Sequence, residues 1–134
     1  MVGKQIELPS VSEDDGCLTY FEGSKEIPFE IKRCFFIFDV PSDKHRADHA
    51  SITTDFVLIA VNGSIEVELD DGNTKSTYYL NDRNRGLFVP KNTWMITRNY
   101  SKDAVLLVLA STRYEEGEYT NDYTEYTKQR GTLR

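Results

Sequence analysis

Apolar and polar residues alternate along most of this chain with the period of a strand, not of a helix. The clearest case is residues 30–38 (EIKRCFFIF), where Ile31, Arg33, Phe35 and Ile37 fall on one face and Lys32, Cys34, Phe36 and Phe38 on the other. An apolar run at 56–61 precedes Asn62-Gly63, a second strand pattern at 64–69 and then Asp71-Gly72. Asn-Gly and Asp-Gly are the dipeptides that type I′ hairpin turns favour, so 45–72 reads as a β-meander with a polar cluster at its start. Further strands are expected at 4–8, 17–21, 74–80, 87–90, 94–100 and 104–110, the last apolar on both faces and therefore central. Residues 10–16, 41–50 and 81–86 read as polar loops or turns. Only the C-terminus turns helical: Tyr119, Tyr123 and Tyr126 recur at i, i+4 and i+7, a stripe expected to face inward. Eight or nine short strands and one helix make an all-β chain, a barrel or jelly roll with a short C-terminal helix.

The chain has 134 residues, which suits a single domain spanning 1–134. Its net charge of −6 argues against non-specific nucleic-acid binding and against a basic membrane patch. Two cysteines, Cys17 and Cys34, are too few for a disulfide framework and read as reduced thiols. No stretch is long and apolar enough for a membrane span, and the N-terminus lacks the apolar core of a signal peptide, so the expected location is cytoplasmic. There is no G-x-G-x-x-G, Walker loop, C-x-x-C or G-x-S-x-G.

Candidate chemistry gathers around Arg46, Asp48 and His49. In a jelly-roll cupin a metal is held by H-x-H, a carboxylate and a further histidine. Here those positions read His49-Ala50-Ser51, Asp55 and Met95, so a hydroxyl and a thioether replace two imidazoles and no metal is expected. His49 could act as a general base near neutral pH, with Asp48 or a backbone carbonyl fixing its tautomer; the alternative is an ordinary loop histidine. His45 reads as solvated. Arg33, an arginine among aromatics, needs a ligand or a carboxylate partner.

Five strings extend these observations: IPFEIKRCFFIFDV (27–40), RADHAS (46–51), VNGSIEVELDDG (61–72), GLFVP…W (86–94) and VLLVLAS (105–111). Together they resemble the nucleotide-sugar 3,4-ketoisomerases, small cupins related to the WxcM C-terminal domain that act on dTDP-4-keto-6-deoxyglucose in deoxysugar and surface-polysaccharide biosynthesis. The resemblance implies a cupin-like jelly roll without metal or other cofactor. It also implies a homodimer, often with exchanged N-terminal strands, and a dTDP-linked sugar in the barrel. The family moves a proton between sugar carbons 3 and 4 using an R-G-x-H-A-H motif. Carried over, His49 is the catalytic candidate, and Arg33, Arg46 and Ser51 are the substrate-binding candidates. This chain departs from the pattern at Ser51, where the motif has its second histidine, and at Ala47 and Asp48. Phe35, Phe36, Phe56, Phe88 and Met95 replace polar residues, which is expected to dry the barrel interior. Two alternatives follow: a catalytically impaired homologue that binds a nucleotide-sugar or a partner protein without turnover, or a cupin for another small molecule with an apolar pocket.

Overall fold

Alternation of buried and exposed side chains builds two facing antiparallel sheets from these strand patterns. The structure, a computed structural model, describes residues 1–133, with side chains through Arg130. The strands are β1 (Lys4–Glu7), β2 (Ser10–Glu13), β3 (Gly16–Thr19), β4 (Arg33–Phe38), β5 (Arg46–Ser51), β6 (Phe56–Asn62), β7 (Ile65–Asp70), β8 (Lys75–Leu80), β9 (Arg85–Val89), β10 (Trp94–Arg98), β11 (Val105–Ala110) and β12 (Tyr119–Thr120). Helix α1 (Tyr123–Leu133) follows. One sheet runs β1-β9-β6-β11-β4, the other β12-β5-β10-β7-β8, and β2 and β3 pair as a separate hairpin. This is the cupin-like jelly roll expected, with one short C-terminal helix. No helix among the described residues is long and apolar enough to cross a membrane.

The core lies between the sheets. Phe56, Leu58, Val67, Leu69, Leu87, Leu106 and Val108 fill it, with Phe35 and Ile37 packed at its edge. Strand β6 is buried on both faces: Val57 and Ile59 turn outward under Leu8, Ile27 and Phe88. On the outer face of the second sheet, Ala50 and Trp94 receive Tyr126 of α1. Asp122 caps that helix, its Oδ1 accepting the Glu125 amide at 3.1 Å.

Four expectations need correction. Residues 45–72 do not form a meander, because β5, β6 and β7 alternate between the two sheets. The Asn62-Gly63 corner is therefore a crossing between sheets, and only Gly63 has positive φ, at 69°. It is held by a second crossing, that between β10 and β11: Ser64 N–H donates to Ser101 Oγ at 2.9 Å, and Asn62 Nδ2 to the Asp103 carbonyl at 2.8 Å. The β7–β8 connection is a true hairpin, but Asp71 shapes it by accepting the Asn73 and Thr74 amides at 2.9 and 2.7 Å. Residues 10–13 form β2, where the loop expected for 10–16 would lie; neither face is buried, so hydrophobic alternation was never required there.

The third correction matters most for the site. Half of the polar loop expected at 41–50 is strand β5, whose sequence hides its nature because one face lines a cavity and polar groups serve both faces. Its pairing with β10 slips by one residue, Met95 facing His49 and Ile96 facing Ala47, so Asp48 is the extra residue of a bulge. Ala47 and Asp48 both sit at positive φ, 66° and 59°. Fourth, Tyr119 belongs to β12, paired with Ser51, and not to the helix. Tyr126 faces inward as expected, while Tyr123 is more than a third exposed.

Candidate active site

The bulge in β5 aims His49 between the sheets. There it lines a cavity of about 220 Å³ with Arg46, Thr97 and Tyr119 as its polar neighbours. The remaining wall is apolar and includes Phe35, Phe56, Leu58, Met95 and Val108. Phe36 and Phe88 are not part of it: Phe36 is exposed on the outer face of β4, and Phe88 packs on the outer side of the first sheet. Those two replacements, expected to dry the interior, lie outside the cavity because strand alternation turns them away.

The imidazole of His49 lies against the ring of Tyr119, centroids 4.2 Å apart. Its Nδ1 is buried without a hydrogen-bond partner. Burial lowers its pKa below the ordinary 6.5, against opposition from its own backbone and the charges of Asp48 and Glu118. At neutral pH the ring is uncharged and free to accept a proton. Asp48, expected to fix the tautomer, faces the other way: its Oδ1 accepts from Trp94 Nε1 at 3.0 Å, and Oδ2 lies 3.5 Å from Nε2 of exposed His45.

Arg33 and Ser51 meet elsewhere, on Glu118. The guanidinium of Arg33 donates to both carboxylate oxygens, Nη1 to Oε1 at 3.0 Å and Nη2 to Oε2 at 3.1 Å. This is the carboxylate partner that a largely buried arginine requires. The guanidinium lies over Phe35 and Tyr114, at 5.9 and 5.7 Å. The Ser51 hydroxyl, buried, donates to Glu118 Oε2 at 3.3 Å and accepts the Thr54 amide at 3.2 Å. Of the four candidates, then, His49 and Arg46 line the cavity, while Arg33 and Ser51 are drawn together by Glu118. Among the described residues no group of three or more His, Cys, Asp or Glu side chains is placed to hold a metal.

Three participants escaped sequence reasoning. Tyr119 was concealed by its helical spacing with Tyr123 and Tyr126, although Asn121-Asp122 marks the helix start after it. Burial and the Glu118 charge push its hydroxyl above 10, while Arg33 pulls it down. Glu118 has no local signal, since its partner Arg33 is 85 residues away. Tyr100 lies just beyond the cavity, its hydroxyl 2.6 Å from that of Thr97, and burial raises its pKa.

With this geometry in hand, the comparisons are direct. The family FdtA, WxcM-like C-terminal, matches residues 1–131. The chain belongs to this family. A relative from Aneurinibacillus thermoaerophilus, a TDP-4-oxo-6-deoxy-alpha-D-glucose-3,4-oxoisomerase, is 37% identical over 128 residues, 96% of this chain and 92% of the relative. A crystal structure of a 3,4-ketoisomerase from Helicobacter canadensis superposes with a TM-score of 0.94 at 42% identity, covering 98% of each chain. QdtA, a sugar 3,4-ketoisomerase from Thermoanaerobacterium thermosaccharolyticum solved in complex with TDP, gives 0.94 at 32% identity, covering 98% of this chain and 96% of that one.

Proposed function

We propose that this FdtA-family chain is an isomerase that converts a TDP-linked 4-keto-6-deoxy sugar into its 3-keto isomer without metal. The observation that carries the reading is a half-buried, uncharged imidazole on the wall of a largely apolar cavity, its ring against that of a tyrosine that keeps its proton. The likeness to a TDP-4-oxo-6-deoxyglucose 3,4-oxoisomerase and to a TDP-bound ketoisomerase supports the substrate class.

The chemistry follows from the positions of the groups. His49 removes the proton from C3, which is acidified by the neighbouring C4 carbonyl, and the electron pair moves into an enediolate. The Tyr119 hydroxyl donates to the oxygen on which charge develops, in a dry site where such a bond is strong. The protonated His49 then returns its proton to C4, while the proton of the C3 hydroxyl leaves that oxygen as the new carbonyl forms and Tyr119 is reprotonated. A single imidazole suffices when both carbon-bound transfers occur on one face of the sugar ring. Arg46, at the start of β5, supplies positive charge for the pyrophosphate. On this reading Ser51 acts through Glu118, and Arg33 through Glu118 and Tyr119, neither of them on substrate.

The same reading makes the protein a cytoplasmic homodimer in deoxysugar supply for a surface polysaccharide. The Phe36–Phe38 pair, centroids 5.7 Å apart on the exposed face of edge strand β4, supports a second copy covering that face, and sedimentation tests it.

The deciding experiment is proton exchange. In deuterated buffer the wild type exchanges the C3 proton of TDP-4-keto-6-deoxyglucose, and His49→Asn does not. Absence of exchange at high wild-type concentration, with TDP still raising the melting temperature, would establish the non-catalytic binding alternative instead.

A further inference from the structure

We propose that Glu118 is a positioning residue of this site, its buried carboxylate holding Tyr119 against His49. The consequence for turnover rests on the isomerase reading above; the geometry does not.

Strand β12 is two residues long, with only Tyr119↔Ser51 and Thr120↔Ala50 in register. So short a pairing cannot fix an aromatic ring by itself. Tyr119 packs on the core between the sheets, and the preceding residue anchors its strand. Glu118 Oε1 accepts from Arg33 Nη1 at 3.0 Å and from the Glu115 amide at 3.1 Å. Its Oε2 accepts from Arg33 Nη2 at 3.1 Å, Thr54 Oγ1 at 2.9 Å and Ser51 Oγ at 3.3 Å. The Glu118 carbonyl accepts the Ile52 amide at 3.1 Å. One side chain, 1% exposed, thereby joins β4, β5, the turn after β5 and the loop before β12.

Stability alone does not call for this arrangement, because a well-packed apolar pair often replaces a buried ion pair without loss. What an apolar pair could not supply is directional contact with five donors and a negative charge beside the two proton-handling groups. The charged and titratable groups around His49 are Arg46 and Asp48 on β5, Tyr119 on β12, Tyr100 after β10, and the Arg33–Glu118 pair. Glu118 acts on both His49 and Tyr119.

His49 is one of two histidines in the chain, so its signal is readily assigned in an NMR titration. Glu118→Gln keeps the shape and removes the charge. Arg33→Met combined with Glu118→Gln also avoids stranding a buried guanidinium, should the single variant fold poorly. In both, the His49 midpoint falls, and the nuclear Overhauser contact between the His49 and Tyr119 rings weakens. In turnover, kcat falls about tenfold or more with KM within about twofold, the signature of displaced and not missing groups. Glu118→Asp, which retains the charge, keeps the His49 midpoint nearer the wild-type value. A folded variant with the His49 midpoint and ring contact unchanged would overturn the proposal. Lack of C3 exchange in the wild type would sink the isomerase reading alone, since the titration and ring contact judge Glu118 without it.

Discussion

The rings of His49 and Tyr119 lie 4.2 Å apart and are inclined at 48°, on neighbouring strands β5 and β12 of one sheet. This places a proton acceptor and a proton donor on the same cavity wall. The pairing gives the phenol a task that its bulk alone does not.

Tyr119→Phe keeps the ring contact and removes the donor. Loss of a general acid lowers rate by about 10²–10⁴-fold. The expected result is a drop of that order in kcat with the TDP dissociation constant little changed, read by coupled turnover and calorimetry. A full-rate phenylalanine variant would remove Tyr119 from the mechanism.

Arg46→Met isolates the opposite role. Arg46 is exposed at the start of β5 yet reaches the cavity lining, so its loss leaves the core untouched. A hydrogen bond to a charged group contributes about 1.5–3 kcal/mol, which corresponds to roughly tenfold or more in affinity. KM for the TDP-sugar rises by at least that factor while kcat falls less, and the difference from wild type narrows at high salt.

The pH dependence follows from two groups with separate windows. His49 titrates below its ordinary 6.5 in the folded protein, so the unfolded chain takes up that proton first as the pH drops. Its contribution to stability is complete above 6.5 and is lost as pH falls through the folded value. Glu118 also titrates below its ordinary 4.5, although burial pushes it upward, because Arg33, the Glu115 amide and Thr54 outweigh burial. Its contribution is present above 4.5 and is lost as pH falls further. Urea midpoints measured from pH 8 to 5 decline from about pH 6.5 downward in the wild type, and less so in His49→Asn. The acid limb of kcat/KM lies below 6.5 for the same reason, since the base must be uncharged.

Much of this was legible in the chain itself, for a physical reason. The alternation in 30–38 puts Arg33, Phe35 and Ile37 on one face and Phe36 and Phe38 on the other, and the structure buries the first face and exposes the second, so Phe36 does not dry the interior. His49 and Arg46 stand out as the histidine and arginine of a motif. What local pattern cannot convey is pairing at a distance. Arg33 called for a ligand or a carboxylate partner, and the partner is Glu118, 85 residues away; Ser51, a substrate-binding candidate, donates to the same carboxylate. Strand β5 hid because Arg46 and His49 present polar groups to the cavity and the bulge at Asp48 interrupts the alternation that announces strands. The Asn-Gly signal was read correctly as a turn and wrongly as a hairpin, since a dipeptide fixes chain reversal but not which sheet receives the next strand.

That corner gives the last test. Gly63 sits at φ 69°, and an added Cβ would lie 2.3 Å from Ser101 Oγ and 2.8 Å from the Ala104 Cα. Ser101 can rotate, but the Ala104 backbone cannot withdraw without moving the β10–β11 crossing. Two costs therefore add in Gly63→Ala: about 1–2 kcal/mol for a left-handed backbone at a non-glycine residue, and about 1–3 kcal/mol for overpacking. The melting temperature falls accordingly. Ser101→Gly in the same chain relieves the Ser101 contact but not the backbone one, and it gives up the hydrogen bond from the Ser64 amide, so it recovers only part of the loss. Full recovery would mean that the two crossings do not brace each other through their backbones.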